Sequence, residues 1–346
     1  MVYETIKMRD MKHRNLLLAT AAILSLGACS TDSEKVSEGT SPMEISLVSS
    51  LNGTSTRGAL DTDASITRLQ STQIVAGETV HAWVEDNSGT ASSPYINAWK
   101  LTAQGDGSFS GTTQYYPSTG DNVDVYCIHA NLSAEPSGAF PTAAITHAVM
   151  ADQSVAANYL KSDLLYGSVQ NQGRKASQPI LFKHKLAKIE VKLKLSDGLT
   201  VAQLTDAGTA IYLQNTLTTA TYTPAKAPAL AEGGDIAAYG GTVSATGAAS
   251  EIRMDLQKET DATAEVLVFG EAIIVPQSVS PTADFIKIHL ADGGDLYAKL
   301  GGTTAKVFEA GKKYVYTITT SLSSMTLTSS ITDWDDSAGE QTITAK

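Results

Sequence analysis

Cysteine, aromatic residues and positive charge are all scarce in this chain of 346 residues. Two cysteines cannot build a disulfide-stapled scaffold or a zinc site with four thiolates. Lys and Arg number 25 against 36 Asp and Glu, a formal net charge of −11, so the chain lacks the cations that bind a nucleic-acid backbone. Charged residues make up only 18% of the chain, which argues against long exposed helices rich in Glu and Lys.

Most of the remaining sequence consists of short segments in which every second residue is apolar, separated by turns rich in Gly, Asn and Asp. This pattern is typical of strands in β-sandwich domains, and the chain length suggests two domains. Short helices are expected only near residues 151–159 and 200–205. The predicted strands are 43–47, 79–85, 95–102, 122–130, 181–195, 264–269, 285–290 and 313–319.

The first 28 residues have the pattern of an export signal. Lys12 and Arg14 precede an apolar run at 16–26 that is too short to span a bilayer as a stable helix. The run ends in Leu26-Gly27-Ala28-Cys29, which resembles a bacterial lipobox with Cys29 as the lipidated residue. An ordinary signal peptide with an incidental cysteine is the alternative. The acidic residues within 1–10 fit no cationic leader and favour Met11 as the true start.

Four motifs then follow in a fixed order. They are Asp163-Leu164-Leu165-Tyr166-Gly167, Phe182-Lys183-His184-Lys185-Leu186-Ala187-Lys188-Ile189, Val275-Pro276-Gln277, and Ala310-Gly311-Lys312-Lys313-Tyr314-Val315-Tyr316-Thr317 with Ile331-Thr332-Asp333-Trp334 behind it. Together with the lipobox they resemble the fimbrillin family of Bacteroidales, the pilins of type V fimbriae.

The resemblance implies an all-β protein with two transthyretin-like β-sandwich domains in tandem. Residues 1–28 would be the signal peptide, 29–57 a lipidated tether with a removable strand, 58–184 the N-terminal domain and 185–346 the C-terminal domain. It implies an outer-membrane or cell-surface location, with the lipid on Cys29 as the anchor before maturation. The implied partners are other fimbrial subunits, an Arg-specific maturing protease and a host or bacterial surface ligand, and no nucleic acid.

Arg57 and Gly58 lie in a Gly-, Ser- and Thr-rich segment, and Arg57 is the only arginine between Arg14 and Arg68. In fimbrillins, an Arg-specific protease cuts at a comparable place and removes the N-terminal strand, and a strand from the next subunit then fills the groove. By this resemblance the displaced side chains would be Met43, Ile45 and Leu47. Such strand addition satisfies backbone groups and fills core pockets with alternate side chains. The alternative is that Arg57 is an ordinary exposed loop residue.

The strand that such a subunit would donate is less clear from the C-terminal sequence. Only twelve residues follow Trp334, and Ile343 is the main apolar anchor among them. The segment 321–331 is richer in such anchors, so both stretches are candidates. This weak tail argues against a stalk role and suits a tip subunit that accepts a strand, or an anchor that keeps its lipid. The candidate donor residues are Leu322, Met325, Leu327, Ile331 and Ile343.

Catalytic and metal-binding patterns are missing from the sequence, so neither a cofactor nor a metal is expected. The six histidines form no His-x-His or His-x-x-x-His pair, and no Gly-x-Ser-x-Gly elbow is present. The glycines of 105–111 resemble a dinucleotide loop but precede no helix, and they predict a hairpin turn. Ser337 lies in an Asp-Ser-Ala pattern that resembles an O-glycosylation acceptor.

Three functions follow from these observations. The first is an adhesive fimbrial subunit, exported as a lipoprotein and assembled by strand exchange. The second is a surface glycan-binding lipoprotein of a polysaccharide-uptake system, which requires aromatic side chains on one exposed face. The aromatic candidates are Trp83, Trp99, Trp334, Tyr95, Tyr115 and Tyr116, although aromatics in strands are more often core residues. The third, a secreted hydrolase, has no motif in its favour.

Overall fold

The regular secondary structure of this chain is almost entirely β-strand. The computed structural model describes residues 42–51, 73–87, 92–195, 198–231, 234–259, 261–320, 325–334 and 341–344, which form twenty strands and two short helices. The strands are β1 (Leu47–Leu51), β2 (Thr79–Asp86), β3 (Ser93–Ala103), β4 (Phe109–Gly111), β5 (Val123–His129), β6 (Ile145–Ala148), β7 (Leu165–Gln172), β8 (Gln178–His184), β9 (Ala187–Leu195), β10 (Ala210–Pro224), β11 (Gly241–Arg253), β12 (Asp255–Lys258), β13 (Val268–Ile274), β14 (Gln277–Val279), β15 (Asp284–His289), β16 (Asp295–Lys299), β17 (Lys306–Phe308), β18 (Lys312–Thr320), β19 (Met325–Asp333) and β20 (Gln341–Thr344). The helices are α1 (Ala156–Lys161) and α2 (Val201–Thr205).

The N-terminal half forms a seven-stranded sheet in the order β1-β8-β7-β5-β2-β3-β4. Its neighbours are antiparallel except for β1 and β8, which run parallel. The central strand β5 is buried along its whole length because its two faces pack into different cores. Val125 and Cys127 belong to one cluster, while Tyr126 and Ile128 belong to the other.

The C-terminal half contains a six-stranded sheet, β12-β13-β9-β18-β19-β20, and a sheet ordered β11-β10-β15-β16, with β6 also paired to β10. Strands β14 and β17 form a separate pair. Apolar side chains from the two larger sheets, such as Ile189 of β9 and Ile286 of β15, share one hydrophobic core. Sheets that share a core between their inner faces form a sandwich, which confirms the predicted all-β fold class.

Most predicted strands are confirmed, but several boundaries were wrong. The strand expected at 43–47 is β1 at Leu47–Leu51, and the strand expected at 264–269 is β13 at Val268–Ile274. The expected single strand at 181–195 is two strands, because the chain leaves the N-terminal sheet after His184 and enters the C-terminal sheet at Ala187. The first helix begins at Ala156 rather than at 151. The second was correctly predicted, since Thr200 caps it through a reciprocal box with Gln203. No helix of the described residues is long and apolar enough to cross a membrane.

Candidate functional site

The first described segment of the chain, residues 42–51, supplies side chains to the N-terminal core. Ile45 and Leu47 are almost fully buried there, and Met43 packs at the margin of the same core. The intervening Glu44 and Ser46 are exposed, as the two-residue period of an extended chain requires. The three residues predicted as displaced side chains therefore point to one face, two of them inside the core.

The backbone of this segment is hydrogen-bonded on both sides. On one side, β1 pairs with β8, and the Gln178 N–H donates to the Ser46 carbonyl over 2.8 Å. On the other side, the Ile45 N–H donates to the Gln114 carbonyl at 2.8 Å, and the Ser49 N–H donates to the Gly107 carbonyl at 2.7 Å. The segment thus joins β8 to the residues that flank β4, at the other end of the sheet.

Gly107 makes this close approach possible. Its φ of +94° lies in the left-handed region, and a Cβ built there would lie 3.1 Å from the Ser49 carbonyl oxygen. The glycine-rich segment is a turn between β3 and β4, where the Ser108 N–H donates to the Asp106 carboxylate, as the sequence predicted. Its role in the fold is to carry a backbone acceptor to the edge of the first segment.

Removing residues 42–51 would open a groove with defined chemistry. It would leave unpaired N–H groups on Gln178 and Tyr116, which bond the carbonyls of Ser46 and Met43, and unpaired carbonyls on Gln114 and Gly107. It would also expose the two pockets now filled by Ile45 and Leu47. An extended peptide with apolar residues at alternate positions is the ligand that such a groove fits.

The residues predicted for processing lie outside the described residues. These are Cys29, Arg57, Gly58 and Ser337, and the donor candidate Leu322 also lies outside the described residues. Of the remaining donor candidates, Met325, Leu327 and Ile331 belong to β19, which pairs with β18 and β20. Leu327 is buried and Ile331 is half-buried against the C-terminal core. Ile343 belongs to β20, at the edge of the described six-stranded sheet.

Three of the four sequence motifs meet around His184. Its Nδ1 lies 2.9 Å from a carboxylate oxygen of Asp163, with both side chains buried. Its ring stacks on the Trp334 indole, with centroids 3.8 Å apart and planes 5° apart. The backbone N–H of Trp334 donates a hydrogen bond to the Gly311 carbonyl, and the backbone N–H of Gly311 donates to the Leu186 carbonyl. The last motif is thereby fastened to the crossing between β8 and β9.

The electrostatics of this cluster indicate a structural role. Burial alone would raise the pKa of Asp163, but the charge and hydrogen bond of His184 outweigh burial and hold that pKa below its ordinary value. The remaining motif, Val275-Pro276-Gln277, is also structural. The Gln277 side chain accepts a hydrogen bond from the Leu217 backbone N–H and donates one to the Leu217 carbonyl.

Buried lysines near this junction are the residues that sequence reasoning missed. The Lys185 ammonium is held by the carbonyls of Ile236, Ala237 and Tyr239, and burial lowers its pKa to about 8. Lys188 lies 2.6 Å from Glu271 in the C-terminal core. In the motif Phe182–Ile189, which contains both lysines, charged and apolar residues alternate as they would in a half-exposed strand. Only the residues that pack against it from other parts of the chain show that it is buried.

The aromatic residues do not form the exposed row that a glycan platform would need. Trp83, Trp99 and Tyr116 are buried, while Tyr95 and Tyr115 are exposed. Trp334 lies against His184. Cys127 is buried as predicted, and burial raises the pKa of its thiol, which suits a core residue.

A family model described as "Fimbrillin-like" matches residues 67–334. The chain belongs to this family. A protein of Bacteroides uniformis named "Putative fimbrium subunit Fim1C" is 26% identical over 343 residues, covering 95% of this chain and 97% of that protein. As a fimbrillin-like protein, the chain is a structural fimbrial protein of the cell surface and not an enzyme, with other fimbrial subunits as its expected partners.

Solved structures share the fold of this fimbrillin-like chain. A crystal structure of a "putative cell adhesion protein" from Bacteroides uniformis superposes with a TM-score of 0.54 at 22% identity, covering 86% of this chain and 99% of that one. A second, from Bacteroides ovatus, has a TM-score of 0.54 at 14% identity, covering 85% and 98%. These likenesses confirm the all-β architecture.

Proposed function

We propose that this protein is a subunit of adhesive surface fimbriae that accepts a strand from another subunit. In this proposal it is exported as a lipoprotein anchored through Cys29 and matured by cleavage between Arg57 and Gly58. The domains that assemble are residues 58–184 and 185–346. Cleavage separates residues 42–51 from the rest of the chain in sequence, so that only non-covalent contacts hold the segment.

The observation that carries the proposal is the placement of residues 42–51. The segment is hydrogen-bonded on both edges, and it fills core pockets with Ile45 and Leu47. A strand so bonded is an integral part of the sheet, yet its connection to β2 runs through the segment that contains Arg57. An incoming strand would repeat the same contacts, since main-chain bonds are common to all sequences.

The test is cleavage by an arginine-specific protease, applied to protein that lacks residues 1–28. We expect a first cut after Arg57, followed by oligomer ladders that dissociate on heating. Arg57→Gln should remain uncut at this position and monomeric. Arg68→Gln, which changes the next arginine along the chain, is the matched control and should be cut after Arg57 as the wild type is.

A competing peptide makes the test specific for the groove. A synthetic peptide of residues 42–51 should suppress the ladders, and the same peptide with Ser in place of Ile45 and Leu47 should not. Ladders that form equally from uncut Arg57→Gln protein would contradict the proposal. So would cut protein that stays monomeric without any peptide.

A further inference from the structure

The groove that residues 42–51 occupy has a third buried position, and this one is polar. Ile45 and Leu47 fill apolar pockets, and Ser49, the next residue on the same face, is 4% exposed. The Ser49 hydroxyl donates a hydrogen bond to the Gly107 carbonyl oxygen over 3.2 Å, and the Ser49 backbone N–H donates to the same oxygen over 2.7 Å. One carbonyl of a buried glycine therefore receives both donors of a single serine.

The turn at Gly107 leaves little space for a larger side chain at this position. The Ser49 hydroxyl is already in contact with the glycine carbonyl, and a Cβ added to Gly107 would lie 3.1 Å from the Ser49 carbonyl oxygen and 3.5 Å from a methyl group of Val48. A longer or branched side chain in place of Ser49 would push against this turn. Alanine would fit, but it would leave the buried carbonyl with one donor instead of two. The position therefore favours serine.

Only one other stretch of residues 29–346 has the same pattern of side chains. The pattern is a Val, Ile, Leu or Met, a second such residue two positions later, and Ser or Thr two positions after that. It occurs at 45–49 and at 325–329, and it is missing from the residues after Trp334. The likeness extends over seven residues without a gap, since Ile45-Ser46-Leu47-Val48-Ser49-Ser50-Leu51 aligns with Met325-Thr326-Leu327-Thr328-Ser329-Ser330-Ile331.

The matching stretch belongs to β19, which has the long strand β18 on one side and the four-residue strand β20 on the other. Leu327 is 9% exposed there, whereas Leu47 is 2% exposed in the groove, so transfer to the groove would bury this leucine more fully. The transfer has a cost, because Trp334 lies three residues after Ile331 and would have to leave His184. This cost holds β19 in its own sheet until the open groove of another subunit is available.

We propose that Gly107 makes the groove selective for a strand that carries serine at its third buried position. The strand that meets this requirement is β19 of a second copy of this chain, in the register that places Ser329 where Ser49 now lies. This inference rests on the proposed strand-accepting function, for which it names the occupant of the groove and the residue that selects it.

The first experiment measures peptide binding to protein that lacks residues 1–28 and has been cut after Arg57. A fluorescent peptide of residues 42–51 reports occupancy of the groove through its anisotropy, and unlabelled peptides compete with it after exchange. The peptide of residues 322–331 should compete within about tenfold of unlabelled 42–51, because it lacks only the marginal apolar contact of Met43. The peptide of residues 335–344, which has the same length but not the pattern, is the matched control and should not compete.

Substitutions in the 322–331 peptide test the selection at the third position. Ser329→Ala removes one hydrogen bond and should weaken competition about threefold to tenfold. Ser329→Leu also presses on the Gly107 turn and should weaken it by more than about tenfold. Thr326→Leu is the matched control, because Thr326 takes the place of the exposed Ser46, and it should compete as the unsubstituted peptide does.

Disulfide formation between subunits tests the register within the ladders themselves. Strand β1 pairs Val48 with Pro179 of β8, so the proposed register places Thr328 of the donating copy beside Pro179 of the accepting copy. Cut Thr328→Cys protein mixed with cut Pro179→Cys protein should form disulfide-linked pairs under oxidising conditions. Thr326→Cys, two residues along the same strand, should form far fewer.

The possible failures can be told apart. If the 42–51 peptide itself does not bind, the proposed function fails and this inference fails with it. If 42–51 binds but 322–331 does not compete, or if Ser329→Leu competes as well as the unsubstituted peptide, the inference is overturned and the strand-accepting function stands. Ladders that form without a disulfide between Thr328→Cys and Pro179→Cys subunits would also overturn it.

Discussion

The fold holds His147 in its neutral form. Its Nδ1 accepts from the Asn131 N–H at 3.1 Å, and its Nε2 donates to the Ser162 carbonyl at 3.0 Å, so one proton satisfies both neighbours. Burial lowers its pKa to about 4, from an ordinary value near 6.5. The unfolded chain therefore takes up a proton at higher pH than the folded protein does.

This difference predicts a pH-dependent stability. The stability that comes from burying His147 in its neutral form is fully present above pH 6.5. It is lost as the pH falls toward 4, because protons then bind the unfolded chain preferentially. We expect the free energy of unfolding of the wild type, relative to His147→Gln, to fall by about 3 kcal/mol across this range. Urea unfolding at a series of pH values measures it, with His289→Gln as an exposed control. If the difference in free energy of unfolding between the wild type and His147→Gln does not change with pH, the prediction is contradicted.

Residue roles could be predicted from the sequence only where they follow from local pattern. Cys127 was correctly predicted as a small buried residue, since it lies in an alternating run. The carbonyl cage of Lys185 was not predictable, because Ile236 and Tyr239 are some fifty residues away in sequence. The contact of His129 Nδ1, 2.8 Å from the Thr79 carbonyl oxygen, depends equally on a residue distant in sequence.

At the scale of single elements, substitutions at successive positions of residues 42–51 should alternate between large and small effects on the free energy of unfolding. Ile45→Ala empties a filled core pocket and should lower the free energy of unfolding by about 2–4 kcal/mol. Ser46→Ala, one residue along, changes an exposed side chain and should stay within about 0.5 kcal/mol. Urea denaturation of uncut protein measures both. Equal effects at the two positions would show that the segment is not inserted in the register seen here.

Strands with clear alternation were predictable, whereas strands of small polar residues were not. Strands β5, β15 and β18 were predicted within one or two residues of their ends. The long strand β11 was missed, because Gly, Ala, Ser and Thr between Gly241 and Ser250 give no apolar period. Its extended form comes from pairing with β10, and pairing partners are not encoded locally.

At the scale of the whole molecule, the last tryptophan, Trp334, closes the junction between the N-terminal and C-terminal sheets. Trp334 stacks on His184, which ends the N-terminal sheet, and bonds Gly311, which precedes β18. Gly311 has a φ of +69°, and an added Cβ would lie 2.8 Å from the Ile236 side chain, so no other residue fits without strain. The motifs that identified the family are thus the parts that hold its sheets together.

The residues after Trp334 should be dispensable for folding. Strand β20 pairs with β19 alone among the described strands, so a chain ending at Trp334 keeps the other five strands of that sheet. If the tail is the donor, this truncated chain, once cut after Arg57, should accept a strand but not supply one. Mixed with cut full-length protein, it should shorten the ladders in proportion to its share, as measured by native size.

The matched control for this truncation removes only Ala345 and Lys346, beyond the end of β20. That protein should form ladders of normal length. Normal ladders from the chain ending at Trp334 would exclude the tail and leave β19 as the donor candidate, with Leu327 and Ile331 as its anchors.

The two-sided bonding of the first segment has a mechanical consequence. Its hydrogen bonds to β8, Gln114 and Gly107 run across the segment axis. Traction along that axis loads all of them in shear at the same moment, whereas lifting one end breaks them in sequence. A strand held in this groove therefore resists being drawn out lengthwise, yet it can be replaced step by step by a competitor that enters from one end.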